Sequence, residues 1–166
     1  MTRSVYLGII MMLVLTILQA ALFGRFPAFD IILQPAIVVV LTWALLRGPY
    51  EGLIWAFIAG ILLDIFSITP TGTTALALMV AVIVVVYLNQ LFPENPYALP
   101  ILLSGLGVGI YYLLYTIIIW IARFGFNEQL LASLPIAVLL HAILSLPIYW
   151  LLRTVERVLY PPPIEM

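Results

Sequence analysis

Two side chains that could carry chemistry lie inside otherwise apolar stretches of this chain. Asp64 interrupts the run from Gly52 to Ile68, and the single histidine, His141, lies in the last apolar run. Carboxylates and imidazoles relay protons inside membranes, and a central carboxylate costs roughly 2.5–3.5 kcal/mol on insertion scales. Two such groups are too few to build an active site or to hold a metal ion. We therefore expect no catalytic residue, no metal site and no cofactor.

Small residues precede Asp64 at helical spacing. One face is formed by four residues spaced by four, namely Gly52, Ala56, Gly60 and Asp64. In a membrane, such a face lets a second backbone approach closely. The neighbour is either another helix of this chain, which we favour, or a partner protein.

The turn after this run offers hydrogen-bond donors to Asp64. Pro70-Thr71-Gly72 separates two apolar runs, and the first N–H groups of the following helix have no partner within that helix. No arginine lies within an apolar run to neutralise the carboxylate. We predict that Asp64 accepts hydrogen bonds from amides or hydroxyls of residues 71–74. The alternative is a proton relay with His141, for which a hydrogen bond to a neighbouring helix is the simpler prediction.

A second close-approach motif lies further along the chain. Gly105 and Gly109 are four residues apart, and Tyr111 and Tyr115 follow with the same spacing. Each pair therefore lies on one side of a helix. The sequence favours glycines that seat a neighbouring helix of the same chain. The alternative is a docking seam for a separate single-span protein.

Composition places these motifs in a membrane. The chain of 166 residues is 66% hydrophobic and 8% charged, with a mean hydropathy of +1.27. These values are typical of a polytopic membrane protein and leave no length for a soluble domain. The absence of cysteine excludes disulfides and thiolate chemistry, and a net charge of −1 argues against nucleic acid as a partner.

Charged residues and Pro/Gly turns divide the chain into six apolar segments of one membrane domain. They cover about 4–23, 31–46, 51–68, 73–92, 97–122 and 129–152. About 20 helical residues cross a hydrocarbon core of about 30 Å. The second segment is short, but Pro35 near its start suits a short span. We therefore predict an all-α fold with six transmembrane helices.

The arginines predict the orientation. With both termini in the cytoplasm, four arginines lie inside and two outside, which agrees with the positive-inside rule. The inner four are Arg3, Arg47, Arg153 and Arg157, and the outer two are Arg25 and Arg123. We read Glu156 and its flanking arginines as a solvated helix end near lipid headgroups. The four tryptophans lie toward segment ends, which fits an aromatic belt at the membrane interface; they are Trp43, Trp55, Trp120 and Trp150.

A dense pattern of small and apolar residues lies between Gln34 and Leu76. It comprises Pro35, Leu45-Leu46-Arg47-Gly48-Pro49, Gly52, Gly60, Leu63-Asp64 and Pro70-Thr71-Gly72. In these residues the stretch resembles the rod shape-determining protein MreD family. Elsewhere the resemblance is one of length and hydropathy. One departure is Ala36, which follows Pro35 where that family often has an acidic residue.

The resemblance implies a non-enzymatic protein of the bacterial inner membrane that takes part in cell-wall elongation. Its implied partners are the bitopic protein MreC and, beyond it, MreB, RodA and a class B penicillin-binding transpeptidase. The implied six-helix architecture is similar to the S component of energy-coupling-factor transporters. The residues that we single out as partner-binding or structural are Gly52, Gly60, Asp64, Pro70, Gly72, Gly105, Gly109, Tyr111 and Tyr115.

We therefore expect a membrane scaffold that binds MreC and helps to maintain rod shape. The rival is a substrate-binding membrane subunit of a vitamin transporter, which shares the helix count and the hydrophobicity. Such a binder needs polar groups that converge from several loops, and the predicted external loops supply few of them. A bound small molecule would favour the rival, and a co-purifying membrane protein would favour the scaffold.

Overall fold

The described part of the chain folds into six α-helices. The computed structural model describes residues 2–23, 33–67, 69–91, 98–122 and 128–160. The helices are α1 (Thr2–Phe23), α2 (Pro35–Arg47), α3 (Pro49–Ile65), α4 (Thr73–Leu91), α5 (Ala98–Ile121) and α6 (Glu128–Leu159). The described residues contain helices and turns but no strand, which agrees with the all-α prediction.

The short helix α2 lies at the centre. Nine consecutive residues, Ala36 to Ala44, are buried, and α2 contacts each of the other five helices. A helix that is apolar on every side must be covered by protein or by lipid, and neighbouring helices cover α2. Pro35 begins α2, where its missing N–H removes no intrahelical hydrogen bond.

The other helices surround α2 in a regular order. Helix α1 packs on α3, α3 on α4, α4 on α5 and α5 on α6, while α6 also packs along α2. An aromatic pair lies beneath α1. The rings of Trp43 in α2 and Trp55 in α3 stack with centroids 4.5 Å apart, and Gly8 of α1 lies against Trp55. Both indoles are fully buried, so the prediction that they belong to an interfacial belt is wrong. Trp120 and Trp150 are exposed.

Helix lengths agree with a membrane environment. Among the described residues, three stretches are long and apolar enough to cross a bilayer, namely Thr73–Leu91, Ile101–Ile121 and Leu131–Leu159. Val5–Gln19 and Pro35–Arg47 are shorter apolar helices. Large apolar side chains also cover the outer faces of α1 and α6, such as Ile10, Leu18 and Ile143. A surface of this kind suits lipid rather than water.

Two turns between helices depend on glycine. Gly48 separates α2 from α3 with a φ of 87°, and Gly72 precedes α4 with a φ of 101°. Residues with a Cβ rarely adopt this region, so both turns select glycine. The Gly48 N–H donates to the Ala44 carbonyl and thereby caps α2.

Candidate functional site

Asp64 fastens the turn between α3 and α4. Its carboxylate is buried, with Oδ2 accepting the Gly72 N–H at 2.6 Å and Oδ1 accepting the Thr74 N–H at 3.1 Å. The hydrogen bonds that the sequence predicts for Asp64 are therefore present. Both oxygens are used, and both donors are free amides at the start of α4, where a negative charge is stabilised.

The same turn is closed by Pro70 and Thr73. The Pro70 carbonyl accepts the Thr73 N–H at 3.2 Å and the Thr73 hydroxyl at 2.8 Å. Pro70 itself is exposed, whereas Thr73 and Thr74 are buried. The predicted residues Asp64, Pro70 and Gly72 thus form one structural unit at the junction of two helices.

The tyrosines of α5 adjoin this unit. The Tyr111 side chain lies beside Thr74, which carries one of the amides bound by Asp64. The Tyr111 ring stacks on Tyr115 with centroids 5.7 Å apart and meets Tyr112 edge-on at 5.1 Å. Tyr111 and Tyr112 are buried, and Tyr115 is half-buried. The structure therefore brings Tyr111 of α5 beside the Asp64 turn, whereas Tyr115 joins it only by stacking on Tyr111.

The glycines of α3 face other helices of the same chain. A Cβ on Gly60 would overlap the backbone of Ala75 in α4. A Cβ on Gly52 would overlap Ala44 of α2 and press on Val82 of α4. These glycines let α2, α3 and α4 approach closely.

The two glycines of α5 that the sequence singles out, Gly105 and Gly109, face α6. A Cβ on Gly105 would lie 3.1 Å from the Ala142 Cβ, and one on Gly109 would lie 3.5 Å from a Val138 methyl group. Gly105 is thus tightly seated, and Gly109 has ordinary contacts. The tightest glycine of α5 is Gly107, which lies against Leu41 and Val85 and was not singled out from the sequence.

His141 joins α6 to the start of α2. Its Nε2 accepts the Gln34 N–H at 2.9 Å, and its Nδ1 lies 2.6 Å from the Ala137 carbonyl oxygen. The prediction of a hydrogen bond from His141 to a neighbouring helix is confirmed, since Gln34 is the N-cap residue of α2. These bonds run to backbone groups, as do those of Asp64, and neither side chain bonds to the other.

A charged cluster that sequence reasoning missed connects the α2–α3 turn to the end of α6. Arg47 pairs with Glu51 at 3.2 Å and with Glu156 at 3.4 Å, and its guanidinium lies 3.7 Å above the Tyr160 ring centroid. The Tyr160 hydroxyl donates to Glu51 at 3.4 Å, and Trp43 Nε1 donates to Glu51 at 3.2 Å. We call these five residues the clasp. Helix α6 continues to Leu159. Arg157 is exposed, as a solvated helix end predicts, but Glu156 is half-buried and contacts Arg47 of α2, which that prediction did not include.

The clasp left a partial signal in the sequence. Arg47 and Glu51 are four residues apart, as are Glu156 and Tyr160, which is the spacing of neighbours along a helix. That spacing predicts a contact within each pair. It does not predict that the two pairs meet, because they are separated by about a hundred residues.

The buried polar side chains of this site bond to other parts of the fold. Asp64, His141 and Glu51 accept hydrogen bonds from backbone amides or from neighbouring side chains. Within the described ranges, no group of three or more metal-binding side chains occurs. An open groove on α1 is lined by apolar side chains alone, namely Leu7, Ile10, Met11, Val14, Leu15 and Leu18. The described residues thus form anchors between helices.

Comparison with protein-family models matches the rod shape-determining protein MreD family over residues 2–155. That match covers nearly the whole chain of 166 residues. The chain belongs to the MreD family. The resemblance seen between Gln34 and Leu76 is therefore confirmed and extends well beyond that stretch.

Membership of the MreD family indicates a role in determining cell shape. The chain is a rod shape-determining membrane protein of the rod-shape machinery, in which MreC and other proteins take part. The family is structural and is not known for enzymatic activity. Comparisons with the curated proteins and with the solved structures give no match.

Proposed function

We propose that this MreD-family protein is a non-enzymatic membrane scaffold that binds the membrane segment of MreC. The match to the family over residues 2–155 carries the proposal. The anchors around Asp64 and His141 support it, because these residues bind the backbone of neighbouring helices and so fix how the helices lie. Through MreC, the scaffold would reach MreB, RodA and a class B transpeptidase.

The proposed topology has six spans with both termini in the cytoplasm. The clasp supports it, since Arg47 at the end of α2 contacts Glu156 near the end of α6. The ends of α2 and α6 then lie on the same side of the membrane, so the chain crosses it an even number of times between them. Six spans meet this condition, because α3 to α6 cross four times. The arginines of this side, Arg47, Arg153 and Arg157, then lie in the cytoplasm. The architecture is proposed to be similar to the S component of energy-coupling-factor transporters.

The predicted site residues are proposed to act as structural elements. Gly52 and Gly60 lie against α2 and α4, and Gly105 and Gly109 lie against α6. Tyr111 is buried beside Thr74. Since neighbouring helices of the same chain already occupy these faces, a partner helix needs a different surface.

We propose the outward face of α1 for the MreC helix. Helix α1 packs on α3 and touches α2. An apolar groove runs along its more exposed side, where Ile10 and Val14 are exposed. Val14 is 56% exposed, so a change there leaves the interior intact. Helix association in lipid rests largely on van der Waals packing, which a groove provides.

Purification of the tagged protein in mild detergent tests the scaffold. We expect MreC to co-purify with the wild type, and Val14→Trp to lower its yield several-fold. Leu113→Trp on α5 is the matched control, since Leu113 is 50% exposed, and it should leave the yield unchanged. Equal loss in both variants would remove α1 as the docking face. A tightly bound small molecule and no MreC would instead support the vitamin-transporter alternative.

A further inference from the structure

His141 is fully buried, and both of its ring nitrogens are in use. We propose that His141 is a proton-sensitive tie, which holds α6 against the start of α2 only while the imidazole is neutral. This inference does not depend on the binding of MreC.

The two hydrogen bonds fix one tautomer. The Ala137 carbonyl can only accept, so Nδ1 carries the proton and donates to it at 2.6 Å. The Gln34 amide can only donate, so the unprotonated Nε2 accepts its N–H at 2.9 Å. A second proton turns both nitrogens into donors. Nε2–H would then face the Gln34 N–H, and the bond between α6 and the N-cap residue of α2 is lost.

Among the described residues, the groups that contact the imidazole are neutral. Helix α5 presents Tyr112, whose ring meets the imidazole edge-on with centroids 6.3 Å apart, and α2 presents the Gln34 amide. Helix α6 itself presents the Ala137 carbonyl. Among the residues that the structure describes, no charged side chain interacts with the imidazole. A buried cation without a partner is unfavourable, so proton uptake opens the tie.

The hydrogen bond between His141 and Gln34 lies at the start of the central helix α2. Pro35 has no N–H, so the Gln34 amide is the donor at the entry of the central helix. Helix α2 contacts every other helix. Release of its entry from α6 therefore loosens the helix around which the others pack.

The test compares thermal unfolding of the purified full chain in detergent at pH 7.5 and pH 5.5. His141 is the single histidine, so an ordinary imidazole titration in this range reports on this site. The matched variant is His141→Gln, whose amide oxygen still accepts the Gln34 N–H but does not titrate. Carboxylate titrations are common to both proteins and cancel in the difference.

The sign follows from proton linkage. The tie requires a neutral imidazole in the folded protein, whereas an ordinary imidazole in the unfolded chain binds a proton near pH 6.5, so the proposal predicts that acid favours unfolding. We expect the Tm of the wild type to fall between pH 7.5 and 5.5 by roughly 2–4 °C more than that of His141→Gln. Parallel Tm curves for the two proteins would overturn the proposal.

A second measurement decides the matter if His141→Gln does not fold. Hydrogen exchange of the wild type, corrected for the intrinsic effect of pH, reports the protection of the Gln34 amide. That protection should drop at pH 5.5 relative to pH 7.5, whereas amides in the middle of α4 should keep theirs. Unchanged protection of Gln34 would show that the tie is insensitive to protons.

Discussion

Removal of the Asp64 carboxylate is the sharpest test of the anchor between α3 and α4. Asp64→Leu introduces an apolar side chain of similar size and removes both acceptor oxygens. The Thr74 N–H then lies buried without its acceptor, whereas the Gly72 N–H is half-exposed and can bond to water in part. Asp64→Asn keeps one acceptor oxygen, so it loses one of the two bonds.

The structure gives the size of each effect. A buried donor that loses its acceptor costs about 1–3 kcal/mol, and hydrogen bonds to charged groups are the stronger ones. With one donor fully buried and one half-exposed, Asp64→Leu should lose about 2–4 kcal/mol. At roughly 2–4 °C per kcal/mol for a chain of this size, Tm falls by about 5–15 °C. Asp64→Asn should lie between Asp64→Leu and the wild type, because both carboxylate oxygens are used.

Thermal unfolding in detergent, beside complementation of rod shape in cells, measures both consequences. Ile65→Leu is the matched control, since Ile65 is the next residue and is exposed. A Leu variant as stable as the wild type would refute the anchor. An Asn variant that is as stable as the wild type but fails to restore rod shape would show instead that the titrating carboxyl group itself is needed, as in a proton relay.

Three further predictions concern packing, the clasp and topology. Gly60→Ala should destabilise the fold by about 1–3 kcal/mol or more, because its Cβ meets backbone, while Gly109→Ala should change Tm little; equal effects would contradict the packing. Arg47→Ala should lower Tm by several degrees. Breaking a fully buried ion pair costs about 3–5 kcal/mol, and Arg47 should cost less because its side chain is 24% exposed. For topology, a membrane-impermeant thiol reagent applied to intact cells should label Thr71→Cys and not Tyr50→Cys, and the reverse pattern would invert the orientation.

The Asp64 anchor was predictable from the sequence because it is local. Its donors lie eight and ten residues further along the chain, across one short turn. The Pro70-Thr71-Gly72 motif marks the turn, and the lack of arginine within the apolar runs leaves backbone amides as the donors. Only the use of both oxygens needed the structure, and it predicts that Asp64→Asn loses one of the two hydrogen bonds.

The neighbours of the small residues were not predictable to the same degree. Spacing shows that Gly52 and Gly60 share a face, but not that Gly52 meets Ala44 while Gly60 meets Ala75. The clasp joins Arg47 to Glu156 across 109 residues, and no local pattern predicts that contact. The indoles of Trp43 and Trp55 were misassigned for the same reason, since a position near a segment end does not distinguish a lipid interface from the layer beneath α1.

The sequence by itself determined the class of protein, the six helical segments, the Asp64 turn and the resemblance to the MreD family. These features depend on composition, on helical periodicity and on contacts within a few residues, all of which are written along the chain. The tertiary structure alone decided that α2 is central, that the glycine faces are occupied internally and that His141 meets Gln34. Apolar helices in a membrane can pack in many orders at similar cost, because lipid is as apolar as the side chains. Close steric fit and a few buried polar bonds select one order, and both depend on residues far apart in the chain.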